Sequence, residues 1–369
     1  PTQAGWHALL GKVYLQEDKA DSALAHLQQA VELSPKNGEL QLELARTLRR
    51  TGHLQGAQDA YGAAVRLMPS VGPVWKEAGE VALESGSPEQ AGRWFERAAI
   101  LAPSDPHCLI GAAKAAIQTG KLAHAEELIS QAGRMAPEDP DVLAVAGDLA
   151  SAAGDTGRAL EAYDHAIAVS PSPHMLQLSR CRALMLAGRN AEAAESLQAM
   201  LETEKDDDLA WAELTLACQA LSDTQGALHA AEKAVSLNPR NAEYRLNLAS
   251  LNRRAGQLDR ALNEALTAQS LAESHPRIAL ELGRIYEDRR QYKRALDSYQ
   301  KAIELDHELA EAHFRAGLIL KTLKAYDRAG EMLKRAADLN PRDPDTLHQL
   351  AAVRALELVH GGFAEMAVS

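Results

Sequence analysis

The segment Gly157-Arg158-Ala159-Leu160-Glu161-Ala162-Tyr163 decides the fold, because its central alanine returns at a fixed interval. Steps of 34 residues from Ala159 reach Ala23, Ala57, Ala91, Ala125, Ala193, Ala227, Ala261, Ala295 and Ala329, an alanine at every step. Seven residues further on, a second ladder reads Ala30, Ala64, Ala98, Ala132, Ala166, Met200, Ala234, Ala268, Ala302 and Ala336. Between the two stands a mostly bulky set: Leu27, Tyr61, Phe95, Ile129, Tyr163, Leu197, Ala231, Ala265, Tyr299 and Leu333. Offsets of 0, 4 and 7 mark one face of an α-helix. Pro35, Pro69, Pro103, Pro137, Pro171, Pro239 and Pro341 follow the second ladder by five residues, where proline cannot continue a helix.

Each unit is numbered so that the first alanine ladder is position 20. Position 8 then holds the small residues Gly11, Ala45, Gly79, Ala113, Gly147, Cys181, Thr215, Ala249, Gly283 and Gly317. These suit a second helix that must come close to the first. Position 15 carries Gly52, Gly86, Gly120, Gly154, Gly188 and Gly256, the break between the two helices. An ordinary helical bundle would have to keep this phase by accident.

A 34-residue unit with a small residue at 8, alanine at 20, a bulky residue at 24, alanine at 27 and proline at 32 resembles the tetratricopeptide repeat. The first copy carries Leu10, Gly11, Tyr14, Ala23, Leu27, Ala30 and Pro35. The resemblance covers residues 4–343 without insertion, with repeats starting near 4, 38, 72, 106, 140, 174, 208, 242, 276 and 310. It implies an all-α fold, a right-handed α-solenoid superhelix of helix-turn-helix units, whose stacked neighbours share one thin core. A larger residue at position 20 would strain that contact by about 1–3 kcal/mol.

The sixth copy is weak: Arg180, Met200 and Lys205 replace the usual residues, and Asp206-Asp207-Asp208 follows. Sequence drift accounts for this, and so would a softer joint near 200–210. Residues 344–360 read as a capping helix or the start of an eleventh repeat, and 361–369 as a tail in which Gly361-Gly362 begins a new, out-of-register helix. Pro1 falls in phase with the proline of a preceding repeat, so the chain is expected to be a piece of a longer protein.

The formal charge of −12 opposes general binding to nucleic acid or to an anionic membrane. No stretch approaches the length of a transmembrane helix, so no membrane insertion is expected. Cys108, Cys181 and Cys218 are too few and too widely spaced for a disulfide framework or a zinc motif. Cys181 and Cys218 fall at positions that pack between helices. No phosphate loop, GxGxxG, CxxC or HExxH occurs. His107 beside Cys108 reads as a surface histidine at a helix start, and Glu126-Glu127 as a solvated face. We therefore expect no catalytic residue, cofactor or metal. The compartment stays open, with the cytoplasm favoured over the periplasm.

The resemblance places the first helices on the concave side, with positions 2, 5, 9, 12 and 13 facing inward. The expected partner-binding residues are Lys12, Arg46, Arg49, Arg50, Lys114, Arg182, Leu246, Arg253, Arg254, Arg284 and Phe314. Over positions 9, 12 and 13 basic residues number ten and acidic ones five, against 39 and 51 in the whole chain. That bias points to a protein or peptide partner with acidic side chains among apolar ones. The same counts fit scatter, or arginines paired with Glu43 and Glu281 three residues away. Two specialised uses of the family are disfavoured. The chaperone-tail clamp would need asparagine where Glu80 stands, and an asparagine ladder at position 6 is reduced to Asn247 among glutamates. The leading function is a protein-interaction scaffold. A regulatory or substrate-recruiting arm of an enzyme, with its catalytic domain outside this chain, and a self-associating assembly protein are the alternatives. A nucleic-acid-binding repeat cousin is opposed by the strict 34-residue period and the charge.

Overall fold

The computed structural model describes residues 2–368, with side chains as far as Leu358. Pro1 and Ser369 lie outside the described residues, and with them the phase expected of Pro1. Among the described residues there are 21 helices and no strand. The chain falls into two compact units, Pro1–Arg189 and Asn190–Ser369. The division lies inside the sixth repeat, ahead of the 200–210 segment where the sequence suggests a softer joint.

In the first unit α1 (Gln3–Gln16) packs on α2 (Ala20–Leu33), α3 (Gly38–Arg50) on α4 (Leu54–Leu67), and α5 (Gly72–Glu84) on α6 (Pro88–Leu101). The pairs α7 (Pro106–Gln118) with α8 (Leu122–Met135) and α9 (Pro140–Ala152) with α10 (Thr156–Val169) follow, and α11 (His174–Leu186) closes the unit. The second unit opens with α12 (Asn190–Thr203). It continues with the pairs α13 (Asp208–Ala220) and α14 (Thr224–Leu237), α15 (Ala242–Arg254) and α16 (Leu258–Leu271), α17 (Pro276–Asp288) and α18 (Tyr292–Leu305), and α19 (Ala310–Thr322) and α20 (Tyr326–Leu339). The last helix, α21, runs Pro344–Val368 in one piece. The break expected at Gly361-Gly362 between a cap and a tail is absent. Glycine costs a helix about 1 kcal/mol, and good helix formers on both sides carry it through.

All ten alanines of the first ladder are fully buried. Their partners explain position 8. A Cβ at Gly79 would lie 2.8 Å from the Phe95 ring, at Gly147 2.9 Å from the Tyr163 ring, and at Gly11 2.8 Å from Leu27 Cγ. Glycine therefore stands where position 24 is large. Where position 24 shrinks to Ala231 or Ala265, position 8 grows to Thr215 or Ala249.

The turn at position 15 is left-handed in every repeat. Beyond the six glycines, Asp18, Ser222, Arg290 and Lys324 take φ of 56°, 62°, 58° and 62°. The next residue's N–H reaches back to the carbonyl of position 11, as in Lys19 to Tyr14 at 2.9 Å and Gln291 to Tyr286 at 2.8 Å. This is the Schellman closure of a helix C-terminus.

A second device ties repeat to repeat. Trp75 Nε1 donates to the Pro69 carbonyl at 3.1 Å, Trp211 Nε1 to Lys205 at 2.9 Å, and Arg245 Nε to Pro239 at 2.7 Å. In each case position 4 of one unit caps position 32 of the unit before.

Candidate functional site

Within each unit the first helices of successive pairs lie side by side: α5 against α7, α7 against α9, α9 against α11, α15 against α17, and α19 against α21. Their free face is crossed by ion pairs from one repeat to the next. Arg46 grips Glu77 with two hydrogen bonds, Nε to Oε2 at 2.8 Å and Nη2 to Oε1 at 2.6 Å. Arg49 spans Glu80 at 3.0 Å and Glu84 at 2.6 Å. In the second unit Arg253 bridges Glu281 at 2.6 Å and Asp288 at 3.1 Å. Arg284 holds Glu311 at 2.5 Å and Glu281 at 2.9 Å, and Arg315 joins Glu311 to Glu287.

This arrangement changes the meaning of the expected binding residues. Arg46, Arg49, Arg253 and Arg284 sit on the first-helix face, but their donor forks are directed at carboxylates of this chain. Most partners stand 27 to 35 residues away in the next repeat, beyond the i+3 neighbours considered from the sequence. Both i+3 pairs exist as secondary contacts, Arg46 with Glu43 at 3.9 Å and Arg284 with Glu281. Lys12 stands 3.8 Å from Glu43 with its side chain largely exposed. Arg50, Lys114 and Arg254 are exposed and form no ion pair among the described residues. Arg182 is exposed. Leu246 is buried in the core around Ala249, Ala261 and Ile278, so it supports the face from below. Phe314 is half-buried against Leu320, Leu333 and Val353.

The electrostatics follow the pairing. Burial pushes the Glu77 carboxyl up, but hydrogen bonds from Arg46 and the Tyr61 hydroxyl outweigh it and hold it below the usual carboxylate range. Glu311 is depressed against its own burial in the same way, by Arg284 and Arg315. Asp148 goes the opposite way. Burial raises its pKa, in spite of the Tyr163 hydroxyl that donates to it at 2.6 Å and of nearby Lys114 and Arg182.

Cavities open on the repeats. One of about 390 Å³ lies on the first-helix face of the first unit, floored by Leu83, Phe95 and Ile110 and edged by Lys76 and Lys114. Another, of about 790 Å³, lies among α12, α13 and α14, with Leu201, Trp211 and Leu237 in its wall. His107, at the rim of the first, is exposed and stands 3.8 Å from Asp141 and 3.9 Å from Asp139. Cys108, Cys181 and Cys218 are all buried and in no disulfide among the described residues, and burial pushes Cys108 up to about 11, away from thiolate chemistry. Asp207, just ahead of α13, is buried and accepts from the Ala210 N–H. No helix among the described residues is long and apolar enough to cross a membrane.

Models of the tetratricopeptide repeat match residues 14–77, 82–149, 144–208, 217–276 and 310–343, and a further repeat model of the same family matches 283–324. The chain belongs to the tetratricopeptide-repeat family. Tetratricopeptide repeats generally mediate protein–protein interaction, and proteins built from them are typically non-catalytic scaffolds. The chain is 31% identical over 105 residues to the small glutamine-rich tetratricopeptide repeat-containing protein 2 of Mycosarcoma maydis. That match spans 27% of this chain and 30% of the relative. Among solved structures it is similar to a tetratricopeptide repeat protein from Parabacteroides merdae, with a TM-score of 0.59 and 18% identity over 69% of this chain and all of that one. It is also similar to the human IFIT1 dimer with m7Gppp-AAAA, with a TM-score of 0.51 and 19% identity over 92% of this chain and 90% of that one. At these identities the structural likenesses speak for the α-solenoid fold alone.

Proposed function

We propose that this chain is a scaffold that holds an extended or helical segment of another protein against its first-helix face. The observation that carries the reading is the side-by-side placement of first helices, α5 to α11 in the first unit and α15 with α17 in the second, whose shared face exposes position 9 residues such as Arg46, Lys114 and Leu216. Such a surface offers a partner many shallow contacts in register. In the first unit the cations left for acidic side chains of the partner are Arg50 and Lys114, and the cavity beside Lys114 supplies an apolar seat. The net charge of −12 sets nucleic acid aside as the ligand.

The test places a photo-crosslinking amino acid at Lys114 or, on a second helix, at the exposed Glu126. The reading expects partner adducts from position 114 and none from position 126. Equal labelling from both positions would remove the first-helix face as the binding surface.

A further inference from the structure

The turns between first and second helices differ in charge along the chain. Over positions 13–19 of the last three repeats, residues 254–260, 288–294 and 322–328, basic residues number eight and acidic ones three. The same positions of the seven repeats before them hold five basic and eight acidic residues. The three basic turns lie along one edge of the second unit. Arg289 reaches back to Asp259 of the turn before it at 2.6 Å, and Arg253 reaches forward to Asp288 at 3.1 Å. Leu296, just past the second of these turns, packs into the same cluster as Ala325 and Tyr326 of the third. Those ion pairs occupy two of the three carboxylates, and Asp327 is the third. Arg254, Arg290, Lys293, Arg294, Lys324 and Arg328 are exposed and form no ion pair among the described residues. Arg290 and Lys324 carry a second sign of use. They fill the left-handed position 15, at φ of 58° and 62°, where six repeats have glycine. An L side chain is strained there, so the edge keeps two cations where the fold alone favours glycine.

We infer that this turn edge is a docking site for an acidic, extended segment of a partner protein. It is a surface separate from the first-helix face and stands without that reading. Packed helices are about 8–10 Å apart, so three turns span about 20 Å, which six or seven extended residues cover. Carboxylates along such a segment reach several unpaired cations at once, and the exposed guanidinium forks suit them. Cations crowded on one edge repel one another, and a bound carboxylate relieves that repulsion. The reach of the field decides the class of partner. Exposed charges are screened beyond about 8 Å at physiological salt, so a short segment meets the basic edge and little of the net −12 of the chain. The edge is bounded by negative charge: Asp297 and Glu331 stand one turn further into α18 and α20, and Glu357 of α21 lies against Gly330. A long nucleic acid or an anionic bilayer would extend past the edge onto those carboxylates.

The experiment measures fluorescence anisotropy of two labelled synthetic peptides on the full chain. One is built of glutamate, serine and glycine. In the second, glutamine replaces every glutamate. The inference expects saturable binding of the acidic peptide that weakens as salt is raised, and no saturation by the glutamine peptide. Arg290→Gly combined with Lys324→Gly should weaken acidic-peptide binding about fivefold or more. Both changes relieve a left-handed side chain, so the fold should be at least as stable and the loss is not one of folding. Lys293→Glu, at an exposed site with no partner, should repeat the loss. Acidic-peptide binding unchanged by both turn variants, equal binding of the glutamine peptide, or no saturation up to about 1 mM would overturn the edge. Tighter binding of phosphatidylserine vesicles or of single-stranded oligothymidylate than of the acidic peptide would overturn the choice of a protein segment. Lys114→Glu separates the two surfaces. A loss confined to Lys114→Glu would support the first-helix face and overturn the turn edge, whereas a loss confined to the turn variants supports the edge.

Discussion

Arg46 on α3 and Glu77 on α5 are joined by two parallel hydrogen bonds across the seam between consecutive repeats, and the Tyr61 hydroxyl donates to the same carboxylate at 3.0 Å. The carboxylate thereby links three elements: its own helix α5, the first helix α3 before it, and the second helix α4 lying between them. Its place on this face is to lock the joint between the two repeats.

Glu77→Gln is the first prediction. The amide keeps the shape but loses the charge that faces the Arg46 guanidinium. Because Arg46 is partly exposed, the loss is modest, about 1 kcal/mol. It should appear as faster amide exchange in α3 and α5, with α9 unchanged, as expected of an array stabilised by nearest neighbours. A double-mutant cycle with Arg46→Gln should return a coupling of about 0.5–1 kcal/mol. A coupling of zero would mean that the pair is ornamental.

Arg290→Gly and Ser222→Gly should each stabilise the protein by about 1 kcal/mol. Both residues hold a left-handed φ that costs an L side chain about 1–2 kcal/mol, part of which the greater freedom of glycine in the unfolded chain offsets. Gly154→Ala, at the same turn position with φ of 78°, should lower stability by a similar amount. Urea unfolding of the three variants checks the ordering, and a destabilised Arg290→Gly would contradict it.

The repeat itself was legible because one alanine ladder and one turn glycine recur in phase. Helices begin at Gly38, Gly72, Pro106, Pro140, His174, Asp208, Ala242, Pro276 and Ala310, as that phase requires. The turns at Asp18, Ser222, Arg290 and Lys324 were hidden because their side chains disguise a conformation that the neighbouring hydrogen bonds impose. The arginine partners were missed for a different reason. Charge pairing was sought within one helix, whereas α3 and α5 meet at offsets of 31 and 35 residues. Reading position 6 of each repeat beside positions 9 and 12 of the one before would have exposed Glu77 and Glu281 as the acceptors. Leu246 illustrates the remaining gap: its repeat position nominated it for the surface, but position 5 packs beneath the face and buries it, as it does Ile110, Leu178 and Leu280.

Acid should loosen these joints. Glu77, Glu311 and Asp105 are held below their ordinary values, each against the opposing effect of burial. A depressed carboxyl contributes stability that is complete above its unfolded pKa, about 4.3 for Glu and 3.9 for Asp. That contribution is lost as pH falls through the lower folded values. Asp148, raised by burial, has the opposite sign: it favours the fold when protonated and withdraws that support as pH rises. The thermal midpoint is therefore expected to drop steeply below about pH 4, and the acid limb should be shallower in a Glu77→Gln, Glu311→Gln double variant. An identical limb would show that these pairs do not control the acid transition.

Gly147→Ala tests how tightly a helix pair closes. The added methyl would sit 2.9 Å from two atoms of the Tyr163 ring. That ring cannot easily swing aside, because its hydroxyl is tied to Asp148 at 2.6 Å and its body is buried beside Ala159. The strain should cost about 1–3 kcal/mol. Gly38→Ala meets Met68 at a comparable 2.6 Å, but an unbranched thioether can rotate away, so its cost should fall below about 1 kcal/mol. Tyr163→Leu removes the obstructing ring, so Gly147→Ala should cost less in that background than in the native chain. If the two glycine substitutions were equally tolerated, the ring would be yielding, and the glycines of position 8 would owe their place to something other than the bulk of position 24.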